Sequence, residues 1–139
     1  MLPRPFFFAA LACVALSSCD SPTAPRALPT SIAMSPGSGP PPALSASVAG
    51  NTVVVTGTIG VNVPCYEFTA GASPQQDALV VTLHATPIGG MCTQNTATFG
   101  YTITIRDVPI GTWNLRLIYD YRGPSPSTIV AFDTRITVD

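Results

Sequence analysis

The side chains best suited to acid–base chemistry are one histidine, His84, and a few scattered carboxylates. A nucleophilic hydrolase would need His84 beside a nucleophile and an orienting acid, and a carboxylate pair is the other minimal hydrolytic arrangement. Asp107, Asp120 and Asp133 are the acids that could form such a pair or bind calcium. His84, however, falls at an outward position of a predicted strand, and no hydrolase, zinc-protease, P-loop or dinucleotide-binding motif occurs. We therefore predict no catalytic residue, no metal, no cofactor and no enzymatic activity.

The remaining charges indicate surface pairs rather than a functional patch. Asp120 and Arg122, and likewise Asp133 and Arg135, share a strand face and can pair weakly. Charged residues make up 9% of the 139-residue chain, the net charge is −1, and every basic residue is arginine. Without a basic patch, the composition gives no support for a nucleic-acid partner.

The N-terminus has the three parts of an export signal. Arg4 gives a short positive region, and residues 6–16 form an apolar stretch of about eleven residues, which is too short to span a bilayer. The stretch ends in Leu16-Ser17-Ser18-Cys19. An ordinary secretory signal, cleaved nearby and leaving Cys19 as a free thiol, is the competing interpretation.

Residues 16–19 resemble the lipobox of bacterial lipoproteins, in which an aliphatic residue and two small residues precede an invariant cysteine. The resemblance implies that residues 1–18 are removed and that Cys19 carries a diacylglyceryl group. Two or more acyl chains anchor a protein stably in a membrane. The expected location is the bacterial cell envelope, at the inner or outer membrane, on the periplasmic side or the surface.

The four cysteines are then accounted for. Cys13 leaves with the signal peptide and Cys19 carries lipid, so Cys65 and Cys92 remain in a compartment that permits disulfides. We predict that they pair. A zinc site is the alternative, but two cysteines and one distant histidine supply too few ligands.

Residues 19–42 form the predicted linker between the anchor and the domain. They are mostly Pro, Ser, Thr, Ala and Gly, without apolar periodicity, which is typical of a disordered spacer.

Residues 43–139 alternate apolar and polar side chains in about seven short runs separated by turn signals. The clearest run places Phe99, Tyr101, Ile103 and Ile105 on one face. A segment from Tyr66 to Ala70 has no clear facing, and Gly71 to Gln76 has the composition of a turn. These features predict an all-β domain, an antiparallel β-sandwich, with a small barrel as the alternative.

The segment from Asp107 to Trp113 resembles the corner before the penultimate strand of immunoglobulin-like and fibronectin-type-III-like domains. In those domains a glycine is followed two residues later by a large aromatic side chain that fixes the corner. The resemblance implies an immunoglobulin-like sandwich in which Trp113 has this role. The positions of Cys65 and Cys92 differ from the disulfide of true immunoglobulin domains.

Loops are the expected binding elements of such a domain. Ile88 and Met91 lie on a glycine-containing loop next to Cys92, and Tyr121 and Arg122 open a Gly/Pro/Ser loop. Each of these side chains could equally cover the edge of the core.

These observations predict a lipid-anchored, non-catalytic binding module with an envelope protein or glycan as partner. An inhibitor or regulator of an envelope enzyme is the second hypothesis, and a minimal hydrolase that uses His84 is the third.

Overall fold

A computed structural model describes residues 25–37 and 42–139. The predicted signal peptide, Cys19 and residues 20–24 and 38–41 of the predicted linker lie outside the described residues. In the described part, eight strands form two four-stranded sheets, and no helix is long and apolar enough to cross a membrane. The all-β sandwich predicted from the sequence is confirmed. The strands are β1 (Thr30–Pro36), β2 (Ser45–Ala49), β3 (Thr52–Val61), β4 (Tyr66–Gln75), β5 (Ala78–Pro87), β6 (Ala97–Ile105), β7 (Gly111–Tyr121) and β8 (Ser127–Val138).

The strand order is β1-β6-β3-β2 in one sheet and β4-β5-β7-β8 in the other. All neighbours are antiparallel except β5 and β7, which run parallel, so the second sheet is mixed rather than fully antiparallel as predicted. The chain leaves this sheet after β5, forms β6 in the opposite sheet and returns as β7. Alternation within a strand carries no information about this crossover.

The core lies between the sheets and is built by the predicted alternation. Val53, Val55, Leu79, Val81 and Leu83 are fully buried, together with Ile103, Ile105, Leu115 and Leu117. Each contributes its apolar side chain to the interior while its chain neighbours face outward, as expected for strands with one buried face.

The first strand corrects the predicted domain boundary. Residues 30–36 lie within the segment predicted to be a disordered linker, yet they pair with β6 from Thr30 opposite Ile105 to Pro36 opposite Phe99. The side chains of Ile32 and Met34 pack against the core. Ile32 and Met34 have the period-two spacing of a strand, but the flanking Pro, Ser and Thr residues give the segment the composition of a linker.

Two further local predictions were wrong: the turn at residues 71–76, and the facing of the last alternating run, whose pattern predicts Val130 on the same face as Phe132, Ile136 and Val138. The predicted turn at residues 71–76 is instead the second half of β4, which continues to Gln75. In β8, Ala131 is an extra residue between Phe132, opposite Leu117, and Val130, opposite Ile118. This bulge reverses the alternation, so Val130 is exposed instead of facing the core.

The corner before β7 has the predicted form. Gly111 has a φ of 144°, a value that favours glycine. Trp113 packs against the core and donates a hydrogen bond from its Nε1 to the backbone oxygen of Pro109, at 2.8 Å. The ring therefore fixes the corner through both packing and a hydrogen bond.

Candidate binding site at the loop end

The sandwich has two different ends. Strand registers bring the loops at residues 62–65, 88–96 and 122–126 to one end, which we call the loop end. The turns at residues 50–51, 76–77 and 106–110 lie at the other, the turn end. The ten-residue strands β3 and β5 separate them by roughly 30 Å at ~3.3 Å per residue.

The chain enters the domain at the turn end. The backbone nitrogen of Leu28 donates to the oxygen of Ala72, at 2.8 Å, and Arg26 and Pro29 share a depression with Pro109. The N-terminal side of the domain and the loop end are therefore at opposite ends of the sandwich.

A disulfide joins two of the three loops. Cys65 and Cys92 are bonded, which confirms the predicted pairing. Beside it, the backbone nitrogen of Ile88 donates to the oxygen of Cys65, at 3.0 Å, and that of Arg122 donates to the oxygen of Ala85, at 2.9 Å. The loop end is thus held by a covalent bond and a backbone bond between two of its loops and by a backbone bond from the third loop to β5, which lowers the entropy cost of binding a partner.

The predicted binding residues occupy different positions within this end. Ile88 is exposed and Met91 is fully exposed, as expected for contact residues. Tyr121 is half-buried, and its hydroxyl donates to the backbone oxygen of Gly60, at 3.1 Å. Tyr121 therefore fixes β7 to β3 as well as lining the surface.

Arg122 belongs to a charged cluster on the outer face of the second sheet. Its Nε donates to Asp120 Oδ2 at 3.0 Å, and the Nδ1 of His84 lies 2.6 Å from the same oxygen. A contact this short requires a proton between nitrogen and carboxylate, so Nδ1 carries the hydrogen and donates it. The Nη2 of Arg122 lies 3.0 Å from this Nδ1. Because the Nδ1 hydrogen is directed at Asp120, both nitrogens are donors and no hydrogen bond forms between them.

These bonds favour the ionised form of Asp120. The hydrogen bond from His84, followed by that from Arg122, lowers the pKa of Asp120 below its ordinary value. The carboxylate is thus ionised at neutral pH and balances Arg122. The sequence predicted the pair of Asp120 and Arg122; their meeting with His84 depends on the parallel pairing of β5 with β7, which no local pattern indicates.

The other charge predictions have mixed outcomes. Asp133 pairs with Arg116, at 3.0 Å, instead of the predicted Arg135. Asp107 follows β6 at the turn end, whereas Asp120 lies in β7 near the loop end. The three acids considered for calcium therefore do not meet in one site.

Behind the loop end, tyrosines join the two sheets. Tyr119 donates its hydroxyl hydrogen to the backbone oxygen of Thr58, at 3.0 Å, so the hydroxyl of Tyr101, 2.8 Å away, must donate to Tyr119. Burial raises the pKa of Tyr101, and the hydrogen bond that its hydroxyl donates to Tyr119 raises this pKa further. Burial also raises the pKa values of Tyr119 and Tyr121. All three hydroxyls stay protonated at neutral pH and act as neutral hydrogen-bonding groups.

Comparison with protein-family models, curated proteins and solved structures finds no match to this chain.

Beside Tyr121, at the loop end, lies a small open cleft of about 250 Å³. Sequence reasoning missed it because it combines residues from the ends of four strands. Its lining consists of Gly60, Val61, Asn62, Tyr66, Tyr121, Ser125 and Ser127. Such a surface offers aromatic rings and neutral hydrogen-bonding groups at a rigid end of the molecule.

Proposed function

We propose that this chain is a lipid-anchored protein of the bacterial cell envelope that displays a non-catalytic β-sandwich as a binding module. The proposal rests on the orientation of the domain. The chain enters at the turn end, and the disulfide-linked loops lie at the opposite end. If Cys19 bears the lipid, six chain steps to Pro25 span at most roughly 20 Å. The turn end then faces the membrane and the loop end faces away from it.

The binding role is supported by the surface at the loop end. Ile88 and Met91 are exposed apolar side chains on a loop held by the Cys92 disulfide. Exposed apolar groups on a pre-organised loop are suited to contact a partner, because little order has to be gained on binding.

The anchor is tested by exchanging single cysteines in the full chain produced in a bacterial host that processes lipoproteins. Cys19→Ser should move the protein from the membrane fraction to the soluble fraction and abolish labelling with radioactive palmitate. Cys13→Ser is the matched control, because Cys13 lies within the removed signal peptide and its exchange should change neither result. Membrane retention and labelling of Cys19→Ser would contradict the anchor.

The binding role is tested by capture. The mature protein, immobilised through its turn end, should retain a specific envelope component, and Met91→Asp together with Ile88→Asp should reduce that capture at least tenfold. Ile110→Asp is the control, because Ile110 is exposed at the turn end. Equal losses for both sets of variants would argue against binding through the loop end.

A second candidate function is inhibition of an envelope protease. It is supported by the loop that carries Met91. The Met91 side chain is fully exposed, and the disulfide at Cys92 holds the loop on one side, as is suitable for an inhibitory loop. Assays against proteases of the four main mechanistic classes test it. Inhibition that is lost in Met91→Asp would support it, and the absence of inhibition in every class would exclude it.

A further inference from the structure

The cleft at the loop end is lined by neutral groups only. Two tyrosine rings, one carboxamide and two serines face a volume of about 250 Å³, and none of the described residues that line it is charged. Charged ligands are normally held by opposite charges or by a bridging metal bound to carboxylates. A lining of this composition is therefore suited to an uncharged ligand, and the described residues that form it include no carboxylate that could hold a divalent cation.

The arginine that follows Tyr121 in the chain does not change this conclusion. Arg122 follows Tyr121 directly, but its guanidinium is bonded to Asp120 on the outer face of the sheet. Asp120 is held in its ionised form, so the pair has no net charge to offer an anion.

The lining retains hydrogen-bonding capacity for a ligand. The Tyr66 hydroxyl donates to Asn62 Oδ1 at 3.3 Å, and the Tyr121 hydroxyl donates to the Gly60 oxygen. Each hydroxyl oxygen can still accept a hydrogen bond, and the amide nitrogen of Asn62 can donate. A ligand that carries several hydroxyl groups would complement this set.

The two aromatic rings limit the shape of the ligand. Tyr66 lies beside Phe68, with ring centroids 6.3 Å apart, and Tyr121 packs edge-on against Tyr119, at 6.4 Å. These neighbours hold the two rings in place, and the surface that the cleft exposes is more polar than apolar. Typical small-molecule pockets measure ~300–1,000 Å³, so this cleft admits about one ring.

We propose that this cleft binds a single neutral sugar residue of a glycan, without a divalent cation. A sugar ring combines an apolar face with hydroxyl groups around its edge, which matches two tyrosines surrounded by Asn62, Ser125 and Ser127. The inference rests on the proposed display function and names the ligand class for part of the loop end.

The test uses the full lipidated chain in micelles of a zwitterionic detergent that contains no sugar. Glucose, galactose, mannose and N-acetylglucosamine are titrated separately and followed by saturation-transfer difference NMR. At least one should give saturable transfer with a Kd on the order of millimolar, as expected for a small, open site. A chelator should leave the Kd unchanged. Glucuronic acid, which adds a carboxylate to the glucose ring, should bind more weakly than glucose if glucose is the ligand.

Variants locate the binding. Ser125→Trp fills the cleft from an exposed loop position and should abolish the transfer, while Tyr66→Ala should raise the Kd about tenfold through loss of the aromatic surface. Ile110→Trp at the turn end is the control for an added exposed indole and should bind as the unmodified protein does.

Two outcomes would overturn the inference: no saturable transfer from any of the four sugars, or equal binding by Ser125→Trp and the unmodified protein. Neither affects the anchor test with Cys19→Ser or capture through Met91, so failure of the sugar site is distinguishable from failure of the display function.

Discussion

Gly57 shows how one residue permits the tyrosine contacts between the sheets. It lies on β3 and faces the interior of the sandwich. A Cβ atom at this position would lie 2.5 Å from the hydroxyl of Tyr101 and 2.7 Å from a methyl group of Leu44. A glycine is thus required for Tyr101 to reach Tyr119.

Gly57→Ala should lower the free energy of unfolding by about 1–3 kcal/mol, the usual cost of overpacking a core. Gly60→Ala is the matched control in the same strand, because a Cβ there meets nothing within 4 Å. Urea denaturation of both variants under oxidising conditions measures the difference. Equal stabilities would mean that Tyr101 does not occupy the space above Gly57.

The charged cluster predicts a dependence of stability on pH. Asp120 has a lowered pKa in the folded protein because His84, and then Arg122, donate to its carboxylate. Its contribution is present above the unfolded pKa of ~3.9 and is lost as the pH falls through the lower folded value. The stability advantage of the unmodified protein over Asp120→Asn should therefore shrink below about pH 4. Urea midpoints between pH 2 and pH 6 measure it. A constant difference across this range would contradict the cluster.

At the scale of elements, β1 is the largest departure from the sequence-based expectation. Ile32 packs against the core, whereas its neighbour Ala33 is exposed. Ile32→Asp should destabilise the domain by about 1–3 kcal/mol, since it places a charge against apolar groups. Ala33→Asp is the control and should change the stability by less than about 0.5 kcal/mol. Equal effects of the two exchanges, measured by urea denaturation, would show that residues 30–36 are not part of the sandwich.

The disulfide links the β3–β4 loop to the β5–β6 loop. In the chain-entropy account, a closed loop of about 28 residues stabilises the fold by roughly 3–4 kcal/mol. Replacing both Cys65 and Cys92 with alanine should lower the free energy of unfolding by about this amount. The reduced unmodified protein should match the double variant in urea denaturation. A loss that is present in the variant but absent on reduction would mean that packing of the cysteines, and not the bond, is responsible.

The elements also show which information is local. Strands with regular alternation, such as β6, and the corner at Gly111 and Trp113 were predicted from the sequence, because facing and turn geometry depend on nearby residues. The strand β1 was missed because its composition resembles that of a linker. The bulge at Ala131 depends on the register between β8 and β7, and the parallel pairing of β5 with β7 joins two strands that are not consecutive in the chain.

At the level of the whole molecule, the most important feature is that the loop end and the turn end lie at opposite ends of the sandwich. The Cys65–Cys92 pair could be predicted because the predicted lipoprotein processing assigns Cys13 and Cys19 to other roles, and exposure of Ile88 and Met91 follows from their loop. The cleft could not be predicted, because it forms only where four strands end together. The sequence therefore indicates which loops are available, and the fold decides that they lie together, at the end opposite the chain's entry.

The proposed anchor at Cys19 is tested by the intact mass of the protein extracted from bacterial membranes. We expect a chain that begins at Cys19, heavier by a diacylglyceryl group and, where the new amino group is acylated, by one further acyl chain. A mass that matches an unmodified chain, whether it begins at Cys19 or at another residue, would contradict the anchor and with it the proposed orientation of the loop end.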